Sequence, residues 1–130
     1  MNLVTDTHAL VWYLAGDFRR LSAKARRAFV HADAGRWTIR VPTLVLMEIV
    51  LLEQRARIRV SYGELREQLS IRPGFPIEPL TPEDVDEARA LAKLRDPFDC
   101  LIAATARRLQ HPLITNDAAI FEAGVVSTHW

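Results

Sequence analysis

Leu3-Val4-Thr5 is a short apolar, β-branched run that stops abruptly at Asp6-Thr7-His8 and passes into Ala9–Ala15, which has the composition of a helix. A run of this kind reads as a buried strand, and it delivers a carboxylate at its C-terminal end. Open parallel sheets bind ligands beyond the carboxyl ends of their strands, so Asp6 marks the first place to expect chemistry. The rest of the chain is read for the partners such an acid requires.

Asn2–Thr5 is therefore the first predicted strand and Thr7–Leu14 the first helix, closed near Gly16. Ser22 is placed to cap a helix to about Ala34, stopped by Gly35. Trp37–Val41 is rich in β-formers and ends at Pro42-Thr43, where Thr43 is placed to cap a helix from Leu44 to about Arg57. Ser61 caps a shorter helix that ends by Pro73-Gly74. Pro76–Leu80 holds two prolines, which remove ladder donors, so it belongs at a sheet edge. Thr81-Pro82-Glu83-Asp84 combines a cap, a proline at the first helical position and first-turn acids, and opens a helix to about Arg95. Asp96-Pro97 opens another, through Leu109. Pro112–Thr115 reads as a buried strand, Asp117–Ala123 as a short helix ended by Gly124, and Val125–Thr128 as a last strand. Strands separated by helices pair in parallel through right-handed crossovers, which predicts a three-layer α/β sandwich.

With 130 residues, 49% of them hydrophobic and 25% charged, residues 1–130 are expected to form one globular domain around one core. The single cysteine, Cys100, has no internal disulfide partner, and no signal-peptide pattern opens the chain, so a cytosolic location is expected. The longest apolar runs, Leu44–Met47 and Ile49–Leu52, fall far short of the roughly 20 residues of a bilayer span, so no membrane protein is expected. Of the 17 basic residues 15 are Arg, several clustered at Arg19-Arg20, Arg26-Arg27, Arg55/Arg57/Arg59 and Arg107-Arg108. The planar guanidinium suits phosphate, but solvated helix faces carry such runs equally well, so charge alone decides nothing.

The acids are more informative. Asp6 follows the first strand, and Asp117 follows Pro112–Thr115 with Asn116 beside it. Asp96 and Asp99 stand three apart at the start of a helix whose next residues, Leu101–Ala104, are apolar or small. Glu48 is the only polar position in Leu44–Leu52, where a carboxylate costs several kcal/mol of desolvation unless it is paired or binds a cation. Each acid also has a purely structural use. Asp96 is explained as an N-cap, Asp6 and Asp117 each precede a helix they can cap, Asp99 complements a helix dipole, and Glu48 can pair with an Arg. All these uses at once are a less economical account than a cluster of hard oxygen ligands around the C-terminal edge of a parallel sheet. No Cys/His spacing suggests zinc.

These stretches resemble the four motifs of the PIN-domain ribonucleases, and within them the VapC-type toxins of bacterial toxin–antitoxin pairs. Leu3–Trp12 looks like the opening motif, Thr43–Leu52 with Glu48 the second, Asp96–Ala104 the third and Leu113–Asp117 the fourth. The likeness spans nearly the whole chain, departing at Cys100, where relatives with this Asp-Pro-Phe-Asp run often carry Arg. It implies a PIN-like fold with a central parallel sheet of order 3-2-1-4-5 flanked by helices, and metal-dependent hydrolysis of RNA. Asp6, Glu48, Asp99 and Asp117 are then the catalytic and metal-binding acids, with Asp96 a near neighbour and Thr5, Thr7, Thr115 and Asn116 supporting the ligands or touching substrate. Mg²⁺ or Mn²⁺ held there would activate water and neutralise charge developing on the phosphate. His8 is expected at the substrate edge or in packing rather than in catalysis.

Other classes fit less well. A phosphatase with an aspartyl nucleophile wants a second acid two residues after Asp6, where His8 stands, and a dinucleotide module wants a Gly-rich turn there. A housekeeping PIN nuclease without an antitoxin, or a decayed PIN interaction domain, remains the alternative to a toxin. If RNA is the substrate, its affinity should fall with salt, with Arg19/Arg20 and Arg107/Arg108 the first positions to test. Ala9–Ala15 and Leu44–Leu52 are apolar nearly all round, which predicts a protein interface: a homodimer contact, or the groove for a cognate antitoxin. The resemblance adds that such antitoxins often place a basic side chain into the acidic site.

Overall fold

The computed structural model describes all 130 residues. Its centre is β1 (Asn2–Thr5), buried at Leu3, Val4 and Thr5 because both faces of the sheet are covered. β2 (Thr38–Pro42) pairs with β1 in parallel, Leu3 opposite Ile39, and β4 (Leu113–Ile114) pairs in parallel on the other side, Val4 opposite Leu113. β3 (Ile77–Glu78) closes the edge beside β2. Its flanking prolines donate nothing, but the Pro76 carbonyl accepts the Val41 N–H at 2.9 Å, which is how an edge strand uses proline.

The sheet order is β3-β2-β1-β4, the expected order without its fifth strand. Val125–Thr128 is reduced to one parallel bridge, Leu113 to Thr128. The cause lies in β4. The Pro112 and Ile114 carbonyls accept from Val4 and Asp6 on β1, which leaves Leu113 alone facing outward, donating to Ser127 at 2.8 Å and accepting from His129 at 2.9 Å.

The helices are α1 (Thr7–Leu14), α2 (Ala23–Asp33), α3 (Thr43–Gln54), α4 (Tyr62–Ser70), α5 (Pro82–Ala88), α6 (Pro97–Leu109) and α7 (Ala118–Ala123). Ser22 and Ser61 cap α2 and α4 as expected, accepting from Ala25 and Glu64. Thr43 does not cap α3. It is the first helical residue, and its hydroxyl donates to the Glu78 carbonyl at 3.1 Å, tying α3 to the sheet edge. α5 stops at Ala88, seven residues short of Arg95, because the chain then folds through single turns that bury Leu91 and Leu94. Burial of two leucines, about 1.5–3 kcal/mol each, outweighs the helix propensity of that segment.

Much of the apolar surplus of the first helix is covered within the chain: Ala9, Leu10, Val11 and Leu14 are buried and α1 packs on α2, α3 and α4, while Trp12 and Tyr13 stay half-buried. On α3 only Met47 stands out, 48% exposed. α2 reaches its neighbours through a close backbone approach: a Cβ on Gly74 would lie 2.2 Å from the Ala32 carbonyl oxygen. Gly74→Ala is therefore expected to cost about 1–3 kcal/mol, read as a lower urea midpoint at unchanged slope. A midpoint equal to that of the parent would refute the contact.

Candidate functional site

Asp6, Asp96 and Asp117 each stand immediately before a helix, Asp99 lies in the first turn of α6, and Glu48 lies midway along α3. Asp6 leaves β1 and caps α1, its Oδ1 accepting the Ala9 N–H at 3.0 Å. Asp117 follows β4 and caps α7 in the same way, Oδ1 accepting from Ile120 at 3.1 Å. Asp96 caps α6 with Oδ1, which accepts from Phe98 and Asp99 at 2.9 and 3.1 Å. The structural uses proposed for these three are thus real. They do not exhaust the residues, because each cap occupies one carboxylate oxygen. Asp99 caps nothing, and Glu48 pairs with no Arg: its Oε1 accepts from the Thr7 hydroxyl.

These side chains line one pocket of about 350 Å³, together with Thr7, His8, Trp12, Ile102 and Asn116. Its wall holds the carboxylates of Asp6, Glu48, Asp96, Asp99 and Asp117 and no Lys or Arg. The consequence is electrostatic. Burial, and then the charges of Asp117, Asp96, Glu48 and Asp6, push the Asp99 carboxyl up to about 7. Burial lifts Asp6 to about 6, an effect the Thr115 hydroxyl and the Ala9 N–H only partly offset.

Four sequence-identified acids, Asp6, Glu48, Asp99 and Asp117, therefore meet, with Asp96, Thr7 and Asn116 beside them. Thr115 stands behind the wall, its hydroxyl accepting the Asp117 N–H at 3.0 Å and so orienting that carboxylate. Thr5 does not reach the pocket: it is fully buried, and its hydroxyl donates to the Asp6 carbonyl at 2.9 Å. Cys100 also faces away, its thiol directed at the Ala88 and Leu91 carbonyls at 3.7 and 3.9 Å. Trp12, read from the sequence as part of the opening motif and of an apolar helix, was not expected at the acids, yet it lines their pocket. The signal was present, since His8 and Trp12 lie four apart on the helix that follows Asp6 and so share a face.

Arg107 and Arg108, expected at phosphates, are engaged elsewhere. Arg107 pairs with Glu87 at 3.1 Å, and Arg108 with Asp84 at 2.6 Å and Glu78 at 3.0 Å.

The family model of the PIN domain matches residues 3–125. The chain belongs to the PIN-domain family. Among solved structures, this PIN domain is similar to VapBC2 of Rickettsia felis bound to a DNA fragment from its promoter, at 14% identity, 98% and 97% coverage of the two chains and a TM-score of 0.70. It is similar to DNA-bound VapBC of Salmonella typhimurium, at 13% identity, 98% and 96% coverage and a TM-score of 0.69. VapC20 of Mycobacterium tuberculosis, a toxin that cleaves the sarcin-ricin loop, matches at 20% identity, 98% and 99% coverage and a TM-score of 0.66. Identities this low establish a shared fold. No curated protein matches the sequence. No helix of the PIN domain is long and apolar enough to cross a membrane.

Proposed function

We propose that this PIN domain is a Mg²⁺- or Mn²⁺-dependent endoribonuclease, and the toxin of a toxin–antitoxin pair. The observation that carries the reading is the pocket wall: five carboxylates with no Lys or Arg and only His8 beside them, a concentration of negative charge that calls for a cation.

The donor set fits a hard divalent ion. Every donor is oxygen, and Asp6 and Asp117 each keep one oxygen clear of their helix caps. No three acidic, His or Cys side chains stand close enough to hold an ion together; Mg²⁺ retains waters and takes one or two carboxylates directly. Asp6 and Asp99 are the direct holders in this reading, with Glu48 and Asp117 direct or through water. When bound, the ion supplies Lewis-acid activation of water and of the phosphodiester. The chain's own work is positional. Thr7 fixes Glu48, Thr115 fixes Asp117, and the caps of α1, α6 and α7 fix Asp6, Asp96 and Asp117 on backbone N–H groups rather than on mobile side chains. Asp99, raised to about 7 without a cation, must give up its proton to hold one, so metal binding is expected to release protons and to weaken as pH falls.

The likeness to the VapC20 toxin, named for cutting the sarcin-ricin loop, supports RNA as the substrate, and the VapBC neighbours support a cognate antitoxin. VapC-type chains of this kind pair as homodimers in our reading, with exposed Met47 of α3 at the contact. The test is cleavage of a single-stranded or hairpin RNA by the purified protein. Cleavage is expected with Mg²⁺ or Mn²⁺ and none with EDTA. Activity that survives EDTA would end the metal reading.

A further inference from the structure

A second groove, of about 630 Å³, opens beside the acidic pocket and shares His8 and Trp12 with it. Its charge is opposite. Arg19, Arg20, Arg57 and Arg59 line it against the single acid Asp17. Arg19 and Arg20 are both tied to Asp17, at 3.2 and 2.9 Å, so one carboxylate answers two guanidinium groups. The chain's ion pairs otherwise use Arg40, Arg72, Arg107 and Arg108, and Arg57 and Arg59 take part in none. The same groove is lined by the Trp12 indole, half-buried, with the Arg20 guanidinium 5.8 Å from its ring centroid and the His8 and Trp130 rings 5.9 and 6.3 Å away.

We infer that this groove binds the single-stranded RNA flanking the bond to be cut, one base stacking on Trp12 and the neighbouring phosphates held by Arg57, Arg59 and Arg20. This assignment rests on the ribonuclease reading above and adds the path of its substrate. A strand of RNA combines flat apolar bases with anionic phosphates, and the groove combines an indole with guanidinium groups that match them. An acidic peptide would satisfy the arginines but offer no base to stack on the indole, whose own aromatic neighbours, His8 and Trp130, lie tilted and edge-on to it. Trp12 stands at the junction of the two cavities, so a base stacked there places its adjoining phosphate at the edge of the acidic pocket. The apolar side chains of Val11, Ile58 and Val60 line the same groove and give the stacked base a dry wall.

The experiment measures binding of a fluorescein-labelled 12-nucleotide single-stranded RNA to the full chain in EDTA, by anisotropy, across a series of salt concentrations. Arg57→Gln/Arg59→Gln is expected to weaken binding about 10-fold and to reduce the slope of log K against log salt by about 1.4, near 0.7 for each lost phosphate contact on a single strand. Trp12→Leu is expected to weaken binding about 5- to 100-fold with the slope unchanged, because stacking releases no counterions. Arg66→Gln/Arg95→Gln removes the same charge from exposed positions away from the groove and is expected to change neither. Because Trp12→Leu also alters packing, the surface Arg57/Arg59 pair decides the matter if that variant fails to fold. Groove variants that bind like the Arg66/Arg95 control overturn the inference, as does polyglutamate displacing the RNA at equal charge concentration. The two readings fail separately. Groove-dependent binding without metal-dependent cleavage removes the nuclease and keeps the groove, whereas metal-dependent cleavage with unchanged KM in the groove variants removes the groove and keeps the nuclease.

Discussion

Asp99→Asn is expected to lower metal-dependent RNA cleavage by more than a hundredfold and, in the same protein, to raise the melting temperature of the metal-free form above pH 7. Both effects come from one arrangement. The Asp99 carboxyl is partly buried, has no hydrogen-bonding partner and is crowded by the carboxylates of Asp117, Asp96, Glu48 and Asp6, so its proton is held up to about 7. A carboxyl whose folded pKa lies above its unfolded value binds more protons in the folded state, so stability falls as pH rises from the unfolded pKa, near 4, to about 7. The amide of the Asp99→Asn variant carries no charge and escapes that loss. The gain should be absent at pH 4, grow through pH 4–7 and level off above, reaching about 1–3 kcal/mol after solvent screening, or several degrees in Tm. Mg²⁺ should reverse the ranking, because it stabilises the parent by binding the folded state and finds fewer ligands in the variant. Asp6→Asn should behave alike over pH 4–6, where Asp6 titrates. A variant that melts at the parent temperature at pH 8 would show that the acids do not strain one another. One that cleaves RNA at the parent rate would remove Asp99 from the site.

Much of this site was legible because its residues break local rules. Asp6 ends an apolar run, and Glu48 interrupts an apolar helix. Neither placement is explained by local structure alone, and the fold brings both to one pocket. The caps at Asp96 and Asp117 were equally local, set by proline or by the preceding strand. What escaped was settled by contacts between distant segments. Val125–Thr128 has the composition of a strand, but whether it pairs depends on which way Leu113 turns its peptide groups, and that is fixed by β1. α5 ends early because Leu91 and Leu94 find a core that no 15-residue window displays. Arg57 and Arg59 were visible as one Arg cluster among several, but they lie in the irregular segment after α3, and only the fold brings them into one groove with Trp12. Arg107 and Arg108 looked like phosphate ligands because their partners lie 20 or more residues away in sequence.

Asp84 belongs to the same class, and the largest loss of stability is expected there. Read locally it is a first-turn acid of α5, yet it is fully buried. Its Oδ2 accepts the Thr81 N–H at 2.7 Å and its Oδ1 accepts Arg108 Nε at 2.6 Å, while Arg108 reaches on to Glu78 at 3.0 Å and Glu78 to Arg40 at 3.3 Å. Burial works against the charge, but the Arg108 and Thr81 hydrogen bonds outweigh it and hold the carboxyl below its usual range. Asp84→Ala leaves the largely buried Arg108 guanidinium with Glu78 alone and orphans the cap N–H, which is expected to cost about 3 kcal/mol at pH 7 by urea unfolding. Because the folded pKa is depressed, that contribution is present above pH 4 and is lost as pH falls below it, so variant and parent should converge in acid. Arg108→Met should cost about as much at pH 7 for the opposite reason, since it leaves a buried carboxylate unpaired. The loss should shrink as pH falls and Asp84 takes up a proton. Replacing both by apolar residues should recover most of the stability, because the pair offsets little more than its own desolvation. Arg108 and Asp99 lie at opposite ends of α6, so the single variants should also loosen the helix that carries the pocket's central acid. An Asp84→Ala protein within 1 kcal/mol of the parent, with metal affinity intact, would show that the sheet alone positions α6.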